Sequence, residues 1–491
     1  VKQVNIYRNS VVLLQGYAIH RTQDILTKKN LLWRTFNVNW KNKRVLVIGA
    51  GLSGQAAVQK LQGLGTEVFL TDSKLLEQLA GVQELGLDPE HLLLGSVPGI
   101  EAVKPDLIVL SPGVSPKLPL VQEGIAQNVT VWSEVELAMV DCSALCIGVT
   151  GTNGKTTTTS LIGELAKRTG RPTVVAGNIG VALSGQVKGL AENGLVVAEL
   201  SSFQLEFIDK LRVHVAILLN VTPDHLDRHG TLEAYFDAKA QIFKNQTATD
   251  LAILNWDDPL VHGLGPKLKS RVLYFSATSF LPEGISLWQD QIVYAEKGTM
   301  IPIISRQDLH LRGAHNLENV MAAAAAARAF GLSWTEIAEG LTQFKGVAHR
   351  EEIVGTFEGI LFVNDSKGTN TDAATKALLA FEEPLVLLAG GKNKGLDFHD
   401  FMKVVRVKVK SLVLLGLAAD EMEQAARDEG VQTIIRATTF EDGVEKAIAQ
   451  ATPGDVVLLS PACTSWDMFK SFEERGELFK ELVRRHYRTP I

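Results

Sequence analysis

The run CIGVTGTNGKTTTT sets Lys155 and Thr156 directly behind a short turn made of Gly151, Thr152, Asn153 and Gly154. Backbone N–H groups of such a turn can cradle phosphate, the lysine can neutralise it, and the threonine hydroxyl can ligate Mg²⁺. The spacing is shorter than the standard phosphate loop, whose first glycine would fall at Val149. Thr156, Thr157 and the two threonines after them are poor helix formers, so their place in a first helical turn points to a polar task. The reading is nucleoside triphosphate binding, against a glycine turn without ligand. Glu199 ends the apolar run LVVAE, where a carboxylate can face Mg²⁺ at that loop or simply close a solvated strand end. NVTPDH, from Asn220, supplies Asp224 and His225 to metal or substrate, although a lone histidine is more often a satisfied ring. Lys239, in YFDAKAQIF, reads from its spacing alone as a surface lysine with a snorkelling stem.

A second glycine loop, GAGLSG at Gly49 to Gly54, follows RVLVI and precedes a helical stretch, with Asp72 ending the next strand. Glycines let a backbone approach a pyrophosphate, and an acid about twenty residues on can accept ribose hydroxyls. NAD(P), another diphosphate-bearing nucleotide and a plain tight turn all fit this loop. Towards the C-terminus stand HREE from His349, NDSKGTN from Asn364, GGKNKG from Gly390 and SPACTSWDMFKSFEERG from Ser460. Arg350, Lys367 and Lys394 would add positive charge to a cleft holding triphosphate and carboxylates. Taken singly, each is an ordinary solvated charge. NKGLD is one residue too long for a guanine-reading NKxD motif, which weighs against a GTPase.

These residues need a scaffold, and the pattern supplies one. Short apolar runs alternate with turns and amphipathic stretches of helical length, the mark of parallel βαβ units. Strands are expected at 45–48, 107–110, 145–149, 174–175, 195–198, 215–219, 252–254, 361–363, 385–388, 412–415 and 456–459, with a β-rich insertion around 271–305 and a buried helix over the alanine run 321–327. Eleven strands are too many for one ordinary open sheet, and breaks near Cys142 and Val347 divide them into three groups. In open α/β sheets ligands bind beyond the carboxyl ends of the strands. The seven chemistry-bearing segments, from Gly49 to Ser465, all fall there, so one shared cleft is expected. The expected domains are 41–140, 141–347 and 348–491, behind a basic extension at 1–40.

Composition narrows the function classes. The 491 residues suit about three domains. A net charge of -6 does not suit a nucleic-acid binder, and no apolar run approaches the ~20 residues that span a bilayer. Three cysteines, Cys142, Cys146 and Cys463, show no metal-like grouping and fit a reducing cytoplasm without structural zinc. The charge is uneven: residues 1–44 carry nine basic groups against Asp24, +8, leaving -14 for the remainder. That leader is read as a nonessential extension, with targeting or docking as its alternative.

GTNGKTT, ELSSFQLE, NVTPDHLDRHG, AHNLENVMAA, HREE, NDSKGTN and SPACTSWDMFKSFEERG, in this order from about residue 44 to the end, together resemble the Mur ligases. ELSSFQLE and SPACTSWDMFKSF look like the D-glutamate-adding type, and the DNPR string of the diaminopimelate- or lysine-adding types is absent. The resemblance implies an α/β protein of three domains: N-terminal Rossmann-like for a UDP-sugar, a central P-loop-type ATPase sheet, and a C-terminal Rossmann-like domain for ATP and the amino acid. It implies a cytoplasmic, amide-forming, ADP-releasing ligase acting on UDP-N-acetylmuramoyl-L-alanine and D-glutamate. By resemblance, Lys155 holds phosphates, Thr156 and Glu199 one Mg²⁺, and His225 with Lys239 a second. The matching lysine is carbamylated in the family, which turns Lys239 into an anionic oxygen ligand. Asn316, Asn319, Arg350 and Asp365 match the ATP side. Asn178 and Ser201 match positions near substrate and phosphate, while Lys367, Thr369, Ser465 and Phe472 match positions that receive D-glutamate. By the same resemblance Ser53, Asp72 and Ser73 would contact the UDP part, so the first glycine loop, closed by Gly54, is expected to take UDP-sugar instead of NAD. Two rivals remain, a nicotinamide-dependent dehydrogenase and a nucleotide-dependent binding switch, and a monomer is expected because no dimer helix is evident.

Overall fold

The computed structural model describes residues 39–488, so nearly all of the basic leader lies outside the described residues. Two compact units form, one from 39–305 with 318–341, the other from 306–317 with 342–488.

The first unit holds two sheets. In the first, β1 (Arg44–Ile48), β2 (Glu67–Asp72), β3 (Leu92–Leu94), β4 (Leu107–Leu110) and β5 (Thr130–Ser133) run parallel in the order 3-2-1-4-5. Val45 to Ile48 are buried because parallel strands are covered on both faces, which is why they read as an unbroken apolar run. Strand order reverses at β1 and β4, the place where such sheets open a crevice, and Gly49 and Ser111 begin the two loops there.

The second sheet joins β6 (Leu145–Thr150), β7 (Thr173–Gly177), β8 (Leu195–Glu199), β9 (Val215–Leu218), β10 (Leu251–Asn255), β11 (Arg271–Ser276), β12 (Gly284–Trp288), β13 (Gln291–Glu296) and β14 (Thr299–Ser305) in the order 14-13-12-11-10-9-6-8-7. It is parallel as far as β12 and antiparallel through β13 and β14, and β11 to β14 make up the expected β-rich insertion. β6 lies between β9 and β8, at this sheet's own switch point. The alanine run sits within the helix Ala314–Ala329, with Val320 to Ala327 fully buried.

The second unit carries β15 (Glu352–Phe357), β16 (Ile360–Asn364), β17 (Leu385–Gly390), β18 (Val409–Leu415), β19 (Ile434–Arg436) and β20 (Val456–Leu459) in the order 15-16-20-17-18-19. Only the β15–β16 hairpin is antiparallel. β20 enters between β16 and β17, so the segment from Ser460 lies between those from Asp365 and Gly391. The expected strands are all present, and those not picked out individually, such as β3, β5, β15 and β19, are edge strands, β3 and β19 only three residues long. No described helix is long and apolar enough to cross a membrane.

Candidate functional site

The glycine turn after β6 takes its shape from two sides. Gly154, at φ +85°, closes the turn in a left-handed conformation as the N-cap of the helix Lys155–Lys167, and a Cβ there would collide with Asn319 Oδ1. Asn319, buried, also accepts from Thr158 Oγ1 at 3.2 Å. From the other side the NVTPDH loop is laced to the turn. Thr152 N donates to Asn220 O at 2.9 Å and Asn153 N to Asn220 Oδ1 at 2.8 Å, while Thr222 N donates to Thr152 Oγ1 at 3.0 Å. Lys155 Nζ donates to Gly151 O at 2.9 Å and Thr152 O at 2.8 Å. A turn at a helix N-terminus with a lysine at its base has the geometry to receive phosphate.

Glu199 lies beside Val149 in register and is buried. Its Oε1 accepts from Asn178 Nδ2 at 3.0 Å, and its Oε2 is buried without a hydrogen-bond partner. Gly177, at φ +112°, lets the chain pass so close to β8 that a Cβ would strike the Glu199 carbonyl oxygen. No group of three His, Cys, Asp or Glu poised for a metal exists among the described residues. The oxygens here do fit Mg²⁺, which takes one or two carboxylates and completes its shell with phosphate and water. Glu199 Oε2 has the unused acceptor capacity for that ion, and Thr156 is the second residue of the helix that Lys155 opens.

Lys239 corrects the local reading, because it is buried at 1% exposure and not on the surface. On the helix Leu232–Ala240 it shares the inward face with Tyr235 and Ala238, which spacing alone could not assign. Its Nζ donates to Gly151 O at 2.7 Å and lies 4.3 Å from the Tyr235 ring centre. Burial, with Lys155 adding like charge, holds its pKa well below the usual lysine value, against the pull of Asp224 and Glu199. His225 sits at φ +52°, its N–H donating to Asp224 Oδ1 at 2.9 Å and its ring edge-on to Phe203 at 4.9 Å.

In the same unit, a cavity of about 700 Å³ is lined by Ser53, Asp72, Ser73, Lys74, Asn178 and Gln204, among others. Asp72 braces the first glycine loop, accepting from Ala50 N at 2.8 Å and Lys74 N at 3.0 Å. Gly54 packs under that loop, too close to the Gly49 carbonyl for any side chain. Ser201 caps the short helix Ser202–Leu205 in a reciprocal box with Gln204. The wall Pro112 to Val114 is tied down by Arg228, which donates to the carbonyls of Pro112 at 2.9 Å and Val114 at 3.1 Å and pairs with Glu206 at 2.7 Å.

The second unit assembles a separate set. Asn316 Nδ2 donates to Glu351 Oε2 at 2.9 Å, and His315 pairs with Glu351 at 2.8 Å. Asp365, buried, accepts from Ser460 Oγ at 2.7 Å and from Glu351 N at 3.4 Å. Burial and the nearby Glu351 push its carboxyl up to about 7, against Ser460 and Arg350. Arg350 Nε is buried without a partner. Lys367 Nζ lies 5.2 Å from the Phe472 ring centre, Thr369 N donates to the Lys367 carbonyl at 2.9 Å, Ser465 is buried, and Lys394 is exposed on the loop after β17.

Thus the structure brings Gly151 to Thr157, Asn178, Glu199, Asp224, Lys239 and Asn319 into one unit with the cavity residues. Asn316, Arg350, Asp365, Lys367, Thr369, Ser465 and Phe472 belong to the other. Lys74, Ser111, Gln204, Tyr235 and Arg475 escaped the sequence reading. SPG directly after β4, and a lysine two residues after Asp72, were the available signals for two of them.

Three family models match in order: the Mur ligase MurD-like N-terminal domain at 43–133, the Mur ligase middle domain at 149–327, and the Mur ligase glutamate ligase domain at 349–463. A protein of Desulfitobacterium hafniense strain Y51 called UDP-N-acetylmuramoylalanine–D-glutamate ligase is 67% identical over 454 residues, covering 92% of this chain and all of that protein. One of the same name from Pelotomaculum thermopropionicum is 47% identical over 91% of this chain and 98% of its own. Among solved structures, the UDP-N-acetylmuramate-alanine ligase MurC of Thermotoga maritima shares the fold at TM-score 0.57 and 19% identity, covering 91% of this chain and 100% of that one. With its three α/β domains matched in order and its sequence shared along nearly the full length of these relatives, the chain belongs to the Mur ligase family.

Proposed function

We propose that this chain is an ATP-dependent, ADP-forming ligase that joins the amine of D-glutamate to the terminal carboxylate of UDP-N-acetylmuramoyl-L-alanine in peptidoglycan precursor synthesis. The relatives' names support the substrates. The observation that carries the reading is the link from cavity to phosphate loop: Asn178 lines the cavity and holds Glu199, which lies beside Val149 at the root of the glycine turn. A carboxylate reaching from that cavity would meet a γ-phosphate at the turn. Neither the dehydrogenase nor the switch accounts for this link.

In the reaction the substrate carboxylate attacks the γ-phosphorus and ADP leaves; the D-glutamate amine then attacks the acyl phosphate, expelling phosphate and releasing a proton. Both steps concentrate negative charge, so fixed donors and alignment supply most of the rate. Lys155 would hold the phosphates with backbone N–H groups of the turn, other than those of Thr152 and Asn153, which are given to Asn220. Mg²⁺, when bound, would shield phosphate charge and polarise the phosphorus. Glu199 and Thr156 would hold one ion, and His225 with a carbamylated Lys239 a second. The low pKa of Lys239 favours the neutral amine that adds CO₂. Asn316, Asn319, Arg350 and Asp365 would serve ATP, while Lys367, Thr369, Lys394, Ser465 and Phe472 would serve D-glutamate, whose two carboxylates need cations and donors. The working divisions are 41–140 for UDP-sugar, 141–347 for ATP and 348–491 for ATP and amino acid, in a cytoplasmic monomer.

The test is phosphate release from ATP with UDP-N-acetylmuramoyl-L-alanine and a panel of amino acids. D-Glutamate should stimulate release well above L-glutamate or diaminopimelate; equal release from all three sinks the assignment.

A further inference from the structure

Arg475, on the helix Phe472–Arg488, is one of the most completely buried side chains of the second unit. Its Nε donates to Ser366 Oγ at 2.9 Å and its Nη2 to Ser366 O at 2.8 Å. Nη2 and Nη1 also donate to Cys463 O, at 3.3 and 3.4 Å. Ser366 Oγ passes the chain on to Phe472 O at 2.8 Å, and Ala462 N donates to Gly368 O at 2.9 Å. Among the described residues no carboxylate forms an ion pair with this guanidinium; Asp467 and Asp365 act on it at longer range. Burial pulls its pKa down to about 10.

A buried charge answered only by carbonyl and hydroxyl oxygens is an expensive way to fill a core, and an apolar side chain of like volume would pack there more cheaply. What the planar fork does, and an apolar chain or an ammonium cannot, is hold two backbone segments at one fixed spacing. Those segments are the loops after β16 and β20. Ser366 precedes Lys367 and stands three residues before Thr369, Cys463 stands two before Ser465, and Phe472 opens the helix that bears Arg475. We propose that Arg475 is a positioning residue for the incoming amino acid, clamping the Ser366 and Cys463 loops so that Lys367, Thr369, Ser465 and Phe472 present one fixed receptor. The inference rests on the ligase reading above, since it assigns the receptor to the amino-acid substrate.

The test compares R475K, which keeps charge but loses the fork, with R475M, which keeps only the stem. Both are assayed for phosphate release with the amino acid that the wild-type enzyme uses best. The KM for that amino acid should rise about 10-fold in R475K and more in R475M, while the KM values for ATP and UDP-substrate stay within about 2-fold. Millimolar guanidinium should lower the amino-acid KM of R475A. A merely structural role would move all three KM values together, or lower only the melting temperature. Either result, or an unchanged amino-acid KM in folded R475K, overturns the proposal. If R475M does not fold, R475K and the guanidinium rescue decide it. Failure of the D-glutamate reading is seen separately, in the wild type's choice of amino acid, and a wild type that uses none overturns both.

Discussion

Asn178 Nδ2 donates to Glu199 Oε1 at 3.0 Å, and the second oxygen of the same carboxylate has no hydrogen-bond partner. One amide thus fixes the carboxylate's rotation, faces the cavity, and leaves one oxygen with lone pairs to give to a cation. Replacing it with a like charge should be worse than truncating it. N178D sets a second carboxylate about 3 Å from the buried Glu199, where one must protonate or the pair must separate. We expect turnover to fall about 100-fold in N178D and less in N178A, read from steady-state phosphate release at saturating ATP.

Lys155→Ala should abolish turnover while leaving the circular dichroism spectrum unchanged, since its ammonium bonds to carbonyls of its own loop, Gly151 O and Thr152 O. Full activity in this variant would remove the phosphate-loop role. The same change removes a charge that depresses the pKa of Lys239, so the lysine should become more basic and less ready to add CO₂.

Lys239 should gain the mass of CO₂ when intact protein is measured under mild conditions near pH 8 with bicarbonate. Its burial against Gly151 and Tyr235, with Lys155 nearby, lowers its pKa and favours the neutral amine. Lys239→Ala should be inactive and should recover in part with acetate or formate, which can lend the missing oxygens. Loss without recovery would leave carbamylation unsupported.

Asp365 should make stability depend on pH. The unfolded carboxyl releases its proton near the ordinary value of 3.8, whereas the buried one holds it up to about 7. Between those values the folded state binds the extra proton, so this group's contribution falls as pH rises across the window and is level above it. Asn does not titrate. Urea midpoints should therefore move in favour of D365N, relative to wild type, between pH 5 and pH 8; parallel curves would count against the buried, protonated carboxyl.

The parts that sequence determines are those set by neighbours along the chain. Gly151 to Lys155 read as a phosphate loop because residue types a few positions apart dictate the backbone turn and the helix start. The strands of all three sheets read as apolar runs because parallel strands are buried on both faces, and the strand-end loops then follow. Short edge strands such as β3 and β19, half exposed and only three residues long, are too brief to stand out from a loop. What the tertiary structure decided lies in contacts between distant segments. Lys239 meets Gly151 across 88 positions of sequence, and that contact turns an apparent surface lysine into a buried amine. Ser201, read as a substrate residue, spends its hydroxyl on a helix cap with Gln204, which itself lines the cavity. Arg475 grips Ser366 from 109 positions away, and nothing in FEERG sets it apart from a solvated arginine. Periodicity tells which face of an element is apolar. Which polar atom is buried, and against what, depends on how the elements pack, and desolvation then sets the chemistry of each one.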